Sequence, residues 1–206
     1  MGWYETHILP RLVDWVLRGD DVDRIRAQIA ARVRGVVLEI GFGSGRNVPF
    51  LPAGVSRVVA IEPSPTARRL AGGRCAASRV PIAFMEASAL ALPLLDASID
   101  SVLSTWTLCT LPDLQGTLRE LRRVLVPGGL FCFAEHGLSP QPGVARWQRR
   151  LEPLHKRLAG GCHLTRDIAA ELELAGFSIV RLENRYLGWP RTHKWLFLGE
   201  ASRGAT

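Results

Sequence analysis

Hydrophobic residues along this chain fall into two rhythms, one helical and one of short unbroken runs. In the first 34 residues Trp3, Tyr4, Ile8, Leu12, Trp15 and Val16 recur at helical spacing, with Pro10 limiting or kinking the element. Asp20, Asp21 and Asp23 then place carboxylates where the first turn of a helix favours negative charge, and Ile25, Ile29 and Val33 line one face of that helix. From residue 36 onward β-branched runs alternate with helical stretches. Strands are predicted at 36–40, 57–61, 82–85, 99–104 and 130–134, and helices at 45–51, 64–78, 114–125, 144–159 and 165–175. The strands are apolar throughout and do not alternate, as in a parallel sheet covered on both faces. Two further strands, 177–183 and 194–200, are separated by a stretch too short for a crossover helix, so they are predicted to pair antiparallel at the sheet edge. The expected fold is α/β: a doubly wound, mostly parallel seven-stranded sheet with helices on both faces, an antiparallel last strand pair and an N-terminal helical lid. Residues 1–34 are read as a helical cap and 35–206 as the Rossmann-like sheet domain.

Composition narrows the class. A chain of 206 residues, 47% hydrophobic and 22% charged, suits one globular domain and excludes disordered, collagen-like and coiled-coil classes. The net charge of +7 is carried almost wholly by arginine, Lys156 and Lys194 being the lysines. Its local concentration is Arg146, Arg149, Arg150, Lys156 and Arg157, on a helix shared with Trp147, Leu151, Leu154 and Leu158. That is no binding stripe, so nucleic acid is disfavoured as a partner. A solvated cationic face and peripheral contact with an anionic membrane both stay open. The longest stretch without Asp, Glu, Lys or Arg is 101–112, short of the roughly 20 residues of a membrane-spanning helix. Glu5, His7, Arg11 and Asp14 interrupt any signal-peptide core. Cys75, Cys109, Cys132 and Cys162 show no CxxC spacing, and no metal site is predicted from them or the histidines. A reducing, cytoplasmic setting is the expectation.

The sharpest motif is Glu39-Ile40-Gly41-Phe42-Gly43-Ser44-Gly45-Arg46-Asn47, at the end of the first predicted strand. Glycines there permit positive φ and let a ligand approach the main chain without a Cβ in the way. A helix predicted to follow would offer free N–H groups at its start. Arg46 holds the sixth position, where a dinucleotide fingerprint needs a small residue, which argues against NAD. Glu62, at the tip of the second strand and followed by Pro63, is placed to accept both hydroxyls of a ribose. Glu86, followed by Ala87 and Ser88 after the third strand, is placed to accept from an adenine amine.

Together these residues resemble a class I S-adenosylmethionine-dependent methyltransferase. The likeness takes in Glu39, the three glycines, Glu62, the strand Ile99-Asp100-Ser101-Val102, and the run Leu125-Val126-Pro127-Gly128-Gly129-Leu130. Within that class Thr107-Leu108-Cys109, Ala134-Glu135-His136, Trp147-Gln148 and Gly161-Cys162-His163-Leu164-Thr165-Arg166 are similar to the methyltransferase-like thiol S-methyltransferases. Those enzymes carry an apolar N-terminal anchor that is not read in this sequence. The resemblance implies S-adenosyl-L-methionine as cofactor and S-adenosyl-L-homocysteine as product. It implies cofactor contacts from Glu39, Gly41, Gly43, Gly45, Asn47, Glu62, Pro63, Glu86, Ala87, Ser88 and Ser104.

The methyl of a sulfonium donor is already activated, so transfer by in-line displacement needs mainly alignment. A thiol acceptor ionises partly near neutrality and can dispense with a base; an alcohol cannot. The acceptor side is expected at the strand C-terminal ends, with Trp106, Thr107 and Cys109 after the fourth strand and His136 after the fifth. His136 reads either as a base or as a structural or substrate-orienting histidine, and Cys162 either as a pocket residue or as an inert core thiol. Tyr4 and His7 on the first helix are candidate lid residues. A small lipophilic thiol is the preferred acceptor. N- or O-methylation of a phospholipid, quinone or natural product is the alternative, and an RNA-binding or noncatalytic cofactor-binding module the remote one.

Overall fold

The computed structural model describes residues 2–204. Its centre is a seven-stranded sheet in the order β3-β2-β1-β4-β5-β7-β6. The strands are β1 (Gly35–Ile40), β2 (Val55–Ile61), β3 (Ile82–Met85), β4 (Ile99–Thr105), β5 (Leu125–His136), β6 (Ser178–Tyr186) and β7 (Trp195–Ser202). The pairs β3·β2, β2·β1, β1·β4 and β4·β5 are parallel, whereas β7 runs antiparallel to both β5 and β6. The doubly wound sheet and its antiparallel end are therefore as the periodicity predicts. β5 starts earlier than expected because Leu125 pairs with Ile99 before the Pro127-Gly128-Gly129 bulge shifts the register to Ser101↔Leu130.

The helices are α1 (Leu9–Val16), α2 (Asp20–Ala30), α3 (Pro65–Ala76), α4 (Leu114–Val124), α5 (Pro142–Leu158) and α6 (Ile168–Leu174). Side-chain caps define several starts: Ser64 accepts from the Ala67 amide, Asp113 from Gly116 and Asp167 from Ala170. Alternation along β1 divides the core. Val37 packs with Ile25, Ile29 and Val33 on one face, while Leu38 and Ile40 pack with Leu118, Leu121, Ile168 and Leu172 on the other. Each such fully buried aliphatic side chain contributes about 1.5–3 kcal/mol.

Two expectations need correction. The helix predicted at 45–51 is a single 3-10 turn, Val48–Phe50, because Pro49 and Pro52 deny the amides a longer helix needs. The two N-terminal helices also do not form one cap. α2 carries buried Val22, Ile25 and Ile29 and belongs to the sheet core, whereas α1 buries no residue. A π-helical turn, Tyr4–Ile8, leads into α1.

Candidate functional site

In an open α/β sheet, ligands bind over the strand C-terminal ends where crossovers leave in opposite directions. Here that point lies between β1 and β4, the central neighbours. The loop after β1 holds Gly41, Gly43 and Gly45 at φ of 63°, 60° and 75°. A Cβ on Gly41 would stand 2.0 Å from Thr107 Oγ1, so the loops after β1 and β4 meet there backbone to side chain. A Cβ on Gly43 would meet nothing nearer than 3.8 Å, and this residue presents bare main chain to the cavity. Gly41→Ala is expected to lower Tm by at least ~4 °C. The left-handed φ alone costs an alanine about 1–2 kcal/mol, each worth about 2–4 °C in a domain of this size, and the clash adds to it. Gly72→Ala, with open space around its Cβ, is the control without such loss. Differential scanning calorimetry of the two variants checks this.

Glu62, at the end of β2 and buried, holds the glycine loop in place. Its Oε2 accepts from the Gly43 amide at 2.7 Å and its Oε1 from the Ser64 amide at 2.8 Å. Burial raises the carboxyl above its usual range, with these two amides and Arg68 opposing the rise.

The loop after β4 is built around Glu135. This fully buried carboxylate accepts from Ser104 Oγ at 2.7 Å, Thr107 N at 3.0 Å and Cys109 N at 3.3 Å. Between them Trp106 adopts φ of 54°, a left-handed conformation rare for a bulky residue, and its amide donates to Ala134 O at 2.8 Å. Strain of this kind persists only where the surroundings over-determine it. Arg26 on α2 lies 4.8 Å from the Trp106 ring and donates to Asn47 Oδ1 and Thr105 Oγ1. Asn47 in turn donates to Glu39 Oε1 at 2.8 Å. Burial pushes the Glu39 carboxyl up to about 8, opposed by Asn47 and Arg26, and pulls the Arg26 guanidinium down to about 10.

α1 roofs the cavity. Leu9, Pro10, Val13 and Leu17 face inward, with Asp14 beside them. Arg46 grips Asp14 with two nitrogens, at 2.8 and 3.0 Å, and Ser44 Oγ donates to the same carboxylate. Burial alone would raise Asp14, but Arg46, Ser44 and Arg74 overcome it and hold the carboxyl below the usual range. The side chain that argued against NAD is thus the latch of the roof.

The cavity measures about 680 Å³, within the range of small-molecule sites. Of the residues singled out from sequence, Gly41, Gly43, Glu62, Pro63, Ala87, Ser88 and Trp106 line it. Glu39, Asn47 and Ser104 lie behind its wall, joined to it through Thr105, Arg26 and Glu135. Gly45 packs against Phe42. Glu86 is exposed and paired with Arg68 at 2.7 Å. Tyr4 and His7 do not line the cavity: Tyr4 donates to Leu158 O at 2.8 Å, and the His7 ring lies tilted beside Trp3 at 5.9 Å. Cys109, His136 and Cys162 gather in a separate cluster, with His136 edge-on to Trp106 at 6.3 Å. Sequence reasoning missed Arg26, Asp14 and Ser44. An arginine adjoining an apolar helical face gives no sign that it is buried, and the two others pair across a fold boundary.

The residues fit an adenosyl cofactor: bare main chain at Gly43 and a carboxylate at the end of β2, both lining the cavity. Comparison with known proteins agrees. The methyltransferase domain family matches residues 38–133. The rat (Rattus norvegicus) thiol S-methyltransferase TMT1B is 38% identical over 171 residues, covering 79% of this chain and 66% of that protein. Its Homo sapiens counterpart is 34% identical over 180 residues, covering 85% and 72%. A SAM-dependent methyltransferase of known structure from Methanosarcina mazei has a TM-score of 0.67 at 20% identity, covering 83% of this chain and 93% of that one. That likeness shows the fold alone. The class defined by fold and site is the S-adenosylmethionine-dependent methyltransferases, with S-adenosylmethionine as cofactor. Within it, the chain belongs to the family of the thiol S-methyltransferases TMT1A and TMT1B. It spans about two thirds of the length of these relatives, 66% of the rat protein. Among the described residues no helix is long and apolar enough to cross a membrane.

Proposed function

We propose that this enzyme methylates the sulfur of a small lipophilic thiol. The carrying observation is the chemistry of the cavity wall. Among the described residues that line it there is no His, Cys, Lys or Tyr, and its carboxylates are engaged: Asp14 by Arg46, Glu62 by two amides, Glu5 by the Gly2 amide. A wall without a free base suits an acceptor that ionises by itself, and a thiol does so. The names of the TMT1B relatives point the same way.

Bound S-adenosylmethionine supplies a methyl group already activated on a sulfonium. Gly41, Gly43 and Glu62 would hold the aminoacyl and ribose portions, with Pro63, Ala87 and Ser88 near the adenine and Glu86 at its edge. Glu39, through Asn47 and Arg26, sets the floor beneath. Trp106, Thr107 and Leu111 from the β4 side, and Leu9, Val13 and Leu17 from the roof, form an apolar wall that excludes water and orients the acceptor. Holding two reactants in attack geometry is worth roughly 7–11 kcal/mol, which leaves alignment as the chain's main task. His136 stands outside this wall.

The test is turnover with alkyl thiols, phenols, amines and phospholipids, read as S-adenosylhomocysteine release. Thiols are expected to be the substrates, and the pH at which kcat/KM levels off should move with the pKa of the thiol offered. A plateau fixed at one pH for all thiols would assign the proton to a protein group. Turnover of phenols or amines with none of thiols would overturn the sulfur assignment. A lipophilic acceptor also suits the outer surface. Trp3 and Trp15 on the roof are 71% and 60% exposed, and Arg150 stacks on exposed Trp147 on α5, a composition suited to peripheral contact with a lipid surface.

A further inference from the structure

Three residues far apart in sequence meet beside the acceptor wall. Cys109 lies in the 3-10 turn Leu108–Thr110 after β4, His136 ends β5, and Cys162 follows α5. Their ligand atoms all lie within 4.8 Å of one another. The two sulfurs are 3.4 Å apart, and Cys162 Sγ is 4.0 Å from His136 Nδ1. Both cysteines are buried and neither is in a disulfide. A second imidazole, His155 from the last turn of α5, lies near the Cys162 sulfur, and its ring stands 4.8 Å from that of His193.

These separations can be compared with those a metal imposes. With Zn–S near 2.3 Å and Zn–N near 2.0–2.1 Å, a tetrahedral ion holds two sulfurs about 3.8 Å apart and a sulfur and nitrogen about 3.6 Å apart. The observed 3.4 and 4.0 Å straddle those values and lie within a few tenths of an ångström of them. We propose that Cys109, Cys162 and His136 hold a tetrahedral thiophilic cation, with Zn2+ the matching ion and the nearby His155 closing a Cys2His2 set. None of the four lines the methyl-transfer cavity.

Binding displaces the thiol protons, as metal binding by thiols requires. The ligand backbones are already tied: His163 N donates to Cys109 O at 2.8 Å and Cys162 N to Ala159 O at 3.2 Å. The bound ion would clasp the ends of β4, β5 and α5. Thr107, Thr110, Ala159 and Gly160, from the first and last of these segments, line the cavity. Four protein ligands leave no open position, so the role is structural and stiffens the acceptor wall. This inference does not depend on the thiol assignment.

The test uses the full chain, reduced and stripped of metal, then given equimolar Zn2+ or Co2+ and dialysed without acceptor. Wild type is expected to retain one ion per chain with a raised Tm. The Co2+ form should show sulfur-to-cobalt charge-transfer absorption and the intense visible bands of a tetrahedral site. Cys162→Ser should lose stoichiometric retention. His155→Ala should weaken binding by at least about tenfold, the lower end of what loss of even an outer-shell partner costs. The wild-type cobalt spectrum needs no variant to fold, and far-ultraviolet circular dichroism checks the variants. Substoichiometric metal in the reduced wild type would overturn the proposal. So would octahedral cobalt bands, wild-type retention by Cys162→Ser, or a Cys109–Cys162 disulfide that forms equally with zinc present.

Discussion

Glu62→Ala is expected to weaken S-adenosylmethionine binding by about 100-fold or more, which isothermal titration calorimetry will read. The carboxylate sits at the end of β2 and holds two amides, Gly43 N and Ser64 N. Hydrogen bonds to a charged group contribute about 1.5–3 kcal/mol each. Loss of both, about 3–6 kcal/mol, exceeds the roughly 2.7 kcal/mol that a hundredfold change in affinity represents. Part of the loss falls on the loop itself, which is no longer held with Gly43 facing the cavity, and part on the ribose that the carboxylate is proposed to receive. Glu62→Gln is nearly as damaging, since its NH2 group opposes one of the two amide donors. An affinity within threefold of wild type for Glu62→Ala would place the nucleotide elsewhere.

Glu135→Ala is expected to cost at least about 3 kcal/mol of stability, or roughly 6–12 °C in Tm. It strips the acceptor from the Ser104 hydroxyl and from the Thr107 and Cys109 amides, and each buried donor left without a partner costs about 1–3 kcal/mol. Glu135→Gln should recover part of this. An amide oxygen at the Oε1 position still accepts from Ser104 and Thr107, while its NH2 opposes the Cys109 amide. KM for the acceptor should run in the opposite order, lowest in wild type and highest in Ala, because the left-handed Trp106 depends on that loop. Equal Tm for all three proteins would show that the buried carboxylate does not organise the turn.

The two carboxylates explain why much of the site was legible in the sequence. Both stand at strand ends, and an apolar run closed by an acid is a local pattern that chain order preserves. Gly41 and Gly43 were legible for the same reason. What escaped was set by rotation or by distance. The roof helix shows its cavity face at Leu9, Val13 and Leu17, not at Tyr4 and His7. The π turn at Tyr4–Ile8 bonds i to i+5, and this rotates the following helix away from a 3.6-residue reading. Glu39 lies on the α2 side of β1 because the pleat alternates, so it meets Arg26 and Asn47 behind the cavity wall. The 53-residue separation of Cys109 and Cys162 is bridged only by tertiary folding, which no spacing rule reports.

The roof has a thermodynamic consequence. α1 buries no side chain of its own and rests on the cavity through the Asp14–Arg46 pair and its apolar underside. Whatever fills the cavity also supplies the surface on which α1 rests. Occupancy and the ordering of the N-terminal helix are therefore linked equilibria, and each stabilises the other by the same free energy.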